Sequence, residues 1–121
     1  MELTALSQAE RQFIERYGAA GFRVSGVLYR GAILVFPDRT LEWATAAVTP
    51  EGLAPVVAHG GVELLLIGLG RRMAPVATAL RNSLRASGIA LEAMDTGAAC
   101  RTYNVLAGED RRVAAALLPP V

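Results

Sequence analysis

The chain contains no lysine, a single cysteine and a single histidine, and its twelve basic residues are all arginines. Without a lysine amine there is no Schiff-base nucleophile, no anchor for pyridoxal phosphate and no P-loop lysine. Cys100 has no second cysteine with which to form an intrachain disulfide. Together with His59 it offers too few ligands for a zinc site of the usual Cys/His type. A Ser-His-Asp or Cys-His arrangement would rest on His59 alone. These absences remove most standard enzymes, and neither a metal nor a cofactor is expected.

Concentrated charge is also lacking. Eleven acidic residues nearly balance the arginines, leaving a net charge of +1 spread along the chain. The densest basic cluster, Arg71 and Arg72 with Arg81 and Arg85, is too small to displace many phosphate counterions, so nucleic-acid binding is disfavoured. Long apolar runs are absent as well. Leu64 to Gly70 and Val113 to Leu118 fall far short of the ~18–20 residues that cross a bilayer. Met1 to Arg16 carries Glu2, Glu10 and Glu15 and no continuous apolar core, unlike a signal peptide. A cytoplasmic location is the expectation.

What is present suits a compact α/β domain. A length of 121 residues is the usual size of one domain, and folding at that length buries roughly two thirds of the unfolded chain's surface. No internal repeat or linker divides the chain. Residues 1–121 are expected to form a single domain, with 1–9 as a flexible N-terminal tail.

Ser7 to Tyr17 reads as a weak helix or an irregular edge segment. Phe22 to Phe36 reads as strands, with Arg30-Gly31 as a tight hairpin turn in which glycine supplies positive φ. Pro37-Asp38 ends that ribbon, and Trp43 follows in a short strand or loop covering the core. Thr49-Pro50-Glu51 has the signature of a helix start, and Gly60-Gly61 of its stop. Val62 to Ile67 is a nearly continuous apolar run, as in a central strand buried on both faces. Pro75 opens a second helix with Leu80 and Leu84 on one side, and Gly88 closes it. Ile89 to Met94 is another strand, Asp95-Thr96 caps a third helix running to about Ala107, and Arg111 to Leu118 is the last strand. Helix and strand alternate from Thr49 onward. The expected architecture is therefore a three-layer α/β/α domain with a mostly parallel central sheet, plus an N-terminal β-hairpin ribbon.

In open α/β sheets ligands bind beyond the carboxyl ends of parallel strands. Two loops occupy that position here, Gly68-Leu69-Gly70-Arg71-Arg72 and Asp95-Thr96-Gly97. The first has the glycines and arginines to hold an anion at the following helix start. It lacks the third glycine of the dinucleotide fingerprint, because position 73 is Met73, and its glycines equally suit a tight strand-to-helix turn. The second loop leads into a helix on which Cys100 and Asn104 lie one turn apart, with Arg101 beside the thiol. Cys100 is either a reactive thiol or a small buried residue, and Asp95 is either a working carboxylate or a plain N-cap. His59 at a helix end is explained by the carbonyls it faces. Glu109-Asp110 reads as a solvated turn.

One stretch after another also resembles a known family. The likeness runs from Gly21-Phe22-Arg23-Val24-Ser25-Gly26 through Tyr29-Arg30-Gly31-Ala32-Ile33-Leu34-Val35 and Leu65-Leu66-Ile67-Gly68-Leu69-Gly70. It is most specific from Met94-Asp95-Thr96-Gly97 to Leu106 and ends at Val113 to Pro119. Over about residues 10 to 120 the chain is similar to an archaeal, bacterial and mitochondrial family of small uncharacterised domains. That family includes the third assembly factor of respiratory complex I. The resemblance implies a three-layer α/β/α fold with an added β ribbon, and a role in building a complex. Leu69 stands where the family commonly has threonine, which puts in doubt a ligand contact through a hydroxyl there. No mitochondrial presequence is recognisable, so a bacterial protein fits best.

Two readings follow. The first is a non-catalytic protein-interaction module that assists assembly of a larger complex, respiratory complex I-like by resemblance. The second is a binder of a small anion, or an enzyme, using Gly68, Gly70, Arg71, Asp95, Thr96, Cys100, Arg101 and Asn104. A homodimer is compatible with either.

Overall fold

The computed structural model describes residues 11–71 and 74–120; the expected tail over residues 1–9 lies outside them. The described residues form a mixed α/β fold with two sheets and three helices. The smaller sheet is an antiparallel meander of β1 (Ile14–Gly18), β2 (Gly21–Val24) and β3 (Val27–Tyr29). Ile14 to Tyr17 is thus a strand, not a helix; it is the edge of the small sheet, and its register with β2 shifts between Ile14 and Arg16. Its polar outer face, with Glu15 and Arg16 exposed, hides the apolar alternation that marks strands elsewhere.

The hairpin turn lies at Ser25-Gly26, not at Arg30-Gly31. Ser25 and Gly26 both take positive φ, 45° and 87°, the geometry that matches the twist of a two-residue hairpin. Arg30-Gly31 instead carries the chain from one sheet to the other. Beyond it β4 (Ile33–Phe36) pairs with β5 (Arg39–Glu42) and with the last strand, β8 (Val113–Leu117). Gly21 cannot be replaced freely, since a Cβ there would lie 2.1 Å from the Tyr29 carbonyl oxygen.

The larger sheet has the order β5-β4-β8-β6-β7, with β6 at Leu64–Gly68 and β7 at Ala90–Met94. It is mixed. The pairs β8-β6 and β6-β7 are parallel, whereas β4 runs antiparallel to both β5 and β8. The expectation of a mostly parallel sheet is corrected on this point: β4 and β5 form a hairpin, and a hairpin is necessarily antiparallel.

Side chains alternate across this sheet, as a pleated strand requires. Leu34, Phe36, Leu65, Ile67, Ala114 and Ala116 enter one core, with Leu53 and Val56 beside or on α1 (Ala54–His59) and Leu80 and Leu84 of α2 (Thr78–Ala86). Ile33, Val35, Leu66, Ala115 and Leu117 enter another, with Phe22 and Val24 of the small sheet and Ala99, Cys100 and Tyr103 of α3 (Thr96–Gly108). The order explains the division. The chain steps outward from β6 through α2 to β7, then back across β6 through α3 to β8. Crossovers of one hand in opposite directions put their helices against opposite faces.

Two helices start later than expected. Thr49 forms a separate turn, its Oγ1 accepting from the Gly52 N–H at 3.0 Å, and α1 begins at Ala54 with Pro55 in its first turn. Helix α2 begins at Thr78, so Pro75, Val76 and Ala77 lead into it. Trp43 follows β5 and is buried, its Nε1 donating to the Gly52 carbonyl at 2.9 Å.

Candidate functional site

The loops leaving β6 and β7 go to opposite faces, and the crevice between them is where an open sheet of this kind receives a ligand. Here it is closed by hydrogen bonds. The Gly70 N–H donates to Thr96 Oγ1 at 2.8 Å, and the Thr96 N–H donates to the Gly70 carbonyl at 2.8 Å. The Thr96 hydroxyl in turn donates to the Leu118 carbonyl at 2.7 Å. The Leu69 N–H reaches the Met94 carbonyl and the Leu118 N–H the Gly68 carbonyl. Thr96 is completely buried. A Cβ on Gly68 would approach Thr96 Cα to 2.9 Å and the Leu117 side chain to 3.0 Å. Gly70 holds φ of +85°, which a glycine adopts without strain. The N–H groups of Leu69, Gly70 and Thr96 are therefore spent on joining three strand ends. Arg71 stands outside this network, exposed.

The remaining sequence-derived candidates lie on α3. Asp95 is its N-cap and accepts from the Ala98 N–H at 3.0 Å, one of the orphan donors of a helix start. Cys100 is 1% exposed within the core, and burial pushes its thiol up from 9.0 to about 12, with smaller opposing influences from Arg101, which lowers it, and Asp95, which raises it. A thiol so placed stays protonated at neutral pH and is a poor nucleophile. Asn104 acts as a strand partner. Its Oδ1 accepts from the Ile14 N–H at 2.9 Å and its Nδ2 donates to the Ile14 carbonyl at 2.8 Å, which ties β1 to α3. Tyr103, fully buried, donates to the Gln12 carbonyl at 3.0 Å. Arg101 differs from these, being exposed, with Nη1 donating to the Tyr17 hydroxyl at 2.7 Å above Gly97. The structure thus brings Gly68, Gly70 and Thr96 together, keeps Asp95 and Arg101 at the surface near them, and turns Cys100 and Asn104 inward.

A cleft lies at the opposite end of the sheet, where sequence reasoning placed nothing. It has a volume of about 320 Å³ and lies among Pro37-Asp38 after β4, His59 to Val62 at and beyond the end of α1, and Asp110 to Val113 leading into β8. The His59 ring stacks on Phe36, with centroids 4.1 Å apart and planes within 2°. Its Nε2 is 2.7 Å from Asp38 Oδ1 and its Nδ1 2.8 Å from the Gly60 carbonyl oxygen. Asp110, at φ of 64°, bonds Arg11, which also donates from Nη1 to the Ala107 carbonyl at 2.7 Å and so caps the end of α3. Asp110 is therefore an ion-pair partner as well as a solvated turn residue. The sequence marks a sole histidine followed by Gly-Gly and an Asp two residues past an apolar strand, and neither feature indicates that the two segments meet. Among the described residues no cluster of three or more His, Cys, Asp or Glu is placed to hold a metal, and no helix is long and apolar enough to cross a membrane.

An uncharacterised protein of Rhodobacter capsulatus is 40% identical over 88% of this chain and 83% of its own length. The NADH dehydrogenase [ubiquinone] 1 alpha subcomplex assembly factor 3 of Xenopus tropicalis is 34% identical over 93% of this chain, which spans only 63% of the frog protein. A solved structure described as an outer membrane protein of Bartonella henselae superposes with a TM-score of 0.82 at 36% identity, covering 92% of this chain and 97% of that one. Residues 14–118 match the family model described as protein of unknown function (DUF498/DUF598), and the chain belongs to that family.

Proposed function

We propose that this chain is a non-catalytic protein-interaction module that assists the assembly of a larger, respiratory complex I-like assembly. The observation that carries the reading is the likeness to an NADH dehydrogenase assembly factor across 93% of this chain. The state of the candidate groups supports it. The thiol is buried and its pKa is raised, the strand-end carboxylate caps a helix, and the Leu69 and Gly70 N–H groups donate to the Met94 carbonyl and the Thr96 hydroxyl. The competing reading, a small-anion site at Gly68 to Gly70 and Asp95 to Asn104, retains only the exposed Arg71 and Arg101 as uncommitted to the fold's interior. Two buried cores on either side of one sheet also support reading the domain as three layers.

The chain is proposed to act in the cytoplasm, next to the membrane where such a complex is built. Native capture of the tagged protein from its own cells, followed by mass spectrometry, tests the reading. Recovery of several subunits of one NADH-oxidising complex is expected. Capture that yields no subunit above an untagged control overturns it. Fractionation of the same cells checks the location, which the description of the Bartonella relative makes worth measuring.

A further inference from the structure

The cleft at the amino ends of β6 and β8 is not accounted for by an assembly role. We propose that it binds a small carboxylate with an apolar body, the carboxylate seated on Arg111 and the body against Pro37, Val62 and Val113. Its volume of about 320 Å³ is at the lower end of the range for small-molecule pockets. The apolar part of the lining comes from these three side chains, and Gly60-Gly61 adds backbone without side chains. Both glycines hold left-handed φ, 80° and 76°, although a Cβ at either would meet open space. They are therefore required by the path of the wall and not by crowding.

Charge decides the sign of the ligand. The two acids of the cleft are already engaged: Asp38 with His59 at 2.7 Å and more loosely with Arg39 at 3.5 Å, and Asp110 with Arg11. A cation entering the cleft would have to displace one of these pairs. Arg111 makes no side-chain hydrogen bond or ion pair among the described residues. Arg112 has only a loose, exposed partner, Glu63 at 3.7 Å, of the kind that contributes little. An anion therefore finds a guanidinium ready to bond at no cost to the fold, and a carboxylate matches its planar fork.

Titration of the full ¹⁵N-labelled chain with hexanoate, and in parallel with hexan-1-ol, tests this by amide shifts. Hexanoate should give saturable shifts centred on Gly60, Gly61, Val62 and Arg111 to Val113. Its affinity should fall about tenfold or more in Arg111→Gln, and hexan-1-ol should bind the natural chain weaker by a similar factor. Arg111 is exposed, and an otherwise unchanged spectrum reports that the variant is folded. If it is not, the comparison of hexanoate with hexan-1-ol on the natural chain decides alone. The proposal is overturned by the absence of saturable shifts, by shifts centred elsewhere, by equal affinity in Arg111→Gln, or by equal binding of the alcohol.

Discussion

Gly70 and Thr96 exchange two hydrogen bonds, the N–H of each serving an oxygen of the other at 2.8 Å. That reciprocal pair closes the crevice in which an open α/β sheet ordinarily binds its ligand. It turns a binding position into a joint between β6, β8 and α3. The hydroxyl of Thr96 is the centre of the joint, because it accepts from one strand end and donates to another.

Thr96→Val keeps the shape and removes the hydroxyl. The buried Gly70 N–H and Leu118 carbonyl then lose their partner together, and the cost is about 2–4 kcal/mol. Thr96→Ser keeps both bonds and should lose about 1 kcal/mol or less, from one buried methyl group. Urea unfolding of the two variants checks the order. Equal destabilisation would mean that packing, not the hydroxyl, holds the joint.

Asn104 supplies the side-chain pairing that joins β1 to α3. Asn104→Ala should cost about 2 kcal/mol, and the loss should be local. Amide exchange at Ile14 should accelerate more than exchange in β6 or β8. Uniform acceleration throughout the chain would contradict this account.

The buried thiol sets a pH dependence. Its pKa is raised on folding, so the stabilisation of the protonated form is complete below the ordinary value of 9.0 and is lost as pH rises towards about 12. Tyr103 acts in the same direction, its phenol held above the ordinary range chiefly by burial, with Asp38 raising it further and Arg11 opposing. The urea midpoint should therefore fall between pH 9 and pH 11, and less steeply in Cys100→Ala. Iodoacetamide at pH 8 should leave the folded chain unmodified and label it once unfolded in urea. Rapid labelling of the folded chain would show the thiol to be accessible and ionised.

Gly21 and Gly31 offer a paired test of the small sheet. A Cβ on Gly21 would fall 2.1 Å from a backbone oxygen at φ of +116°, whereas one on Gly31 meets nothing within 4 Å. Gly21→Ala should destabilise by about 2 kcal/mol or more, and Gly31→Ala by less than about 0.5 kcal/mol. Thermal unfolding of both variants measures the difference.

Sequence reading went furthest where the signal is local. Asp95-Thr96 read as a helix start, and Asp95 caps α3. The apolar run before Gly68 read as a central strand, and β6 lies between β8 and β7. It failed where a partner far along the chain decides. Ile14 to Tyr17 is a strand because β2 and Asn104, 90 residues from Ile14, satisfy its backbone. Arg30-Gly31 has the composition of a turn, yet Ser25 took the left-handed conformation, which serine adopts less readily than glycine. The cleft was invisible for the same reason. Its walls come from separate segments, and nothing local in Pro37-Asp38, His59-Gly60-Gly61 or Asp110 to Val113 indicates that they meet.

The measurement that bears most directly on the central claim is the amount of assembled NADH dehydrogenase in membranes of cells lacking this chain. Native gel separation should show a loss of the complete complex with accumulation of partial assemblies. Both the natural chain and Cys100→Ala should restore it, since no thiol chemistry is required. A normal amount of complete complex in the deletion strain, or failure of a folded Cys100→Ala to restore a lost one, would contradict the account.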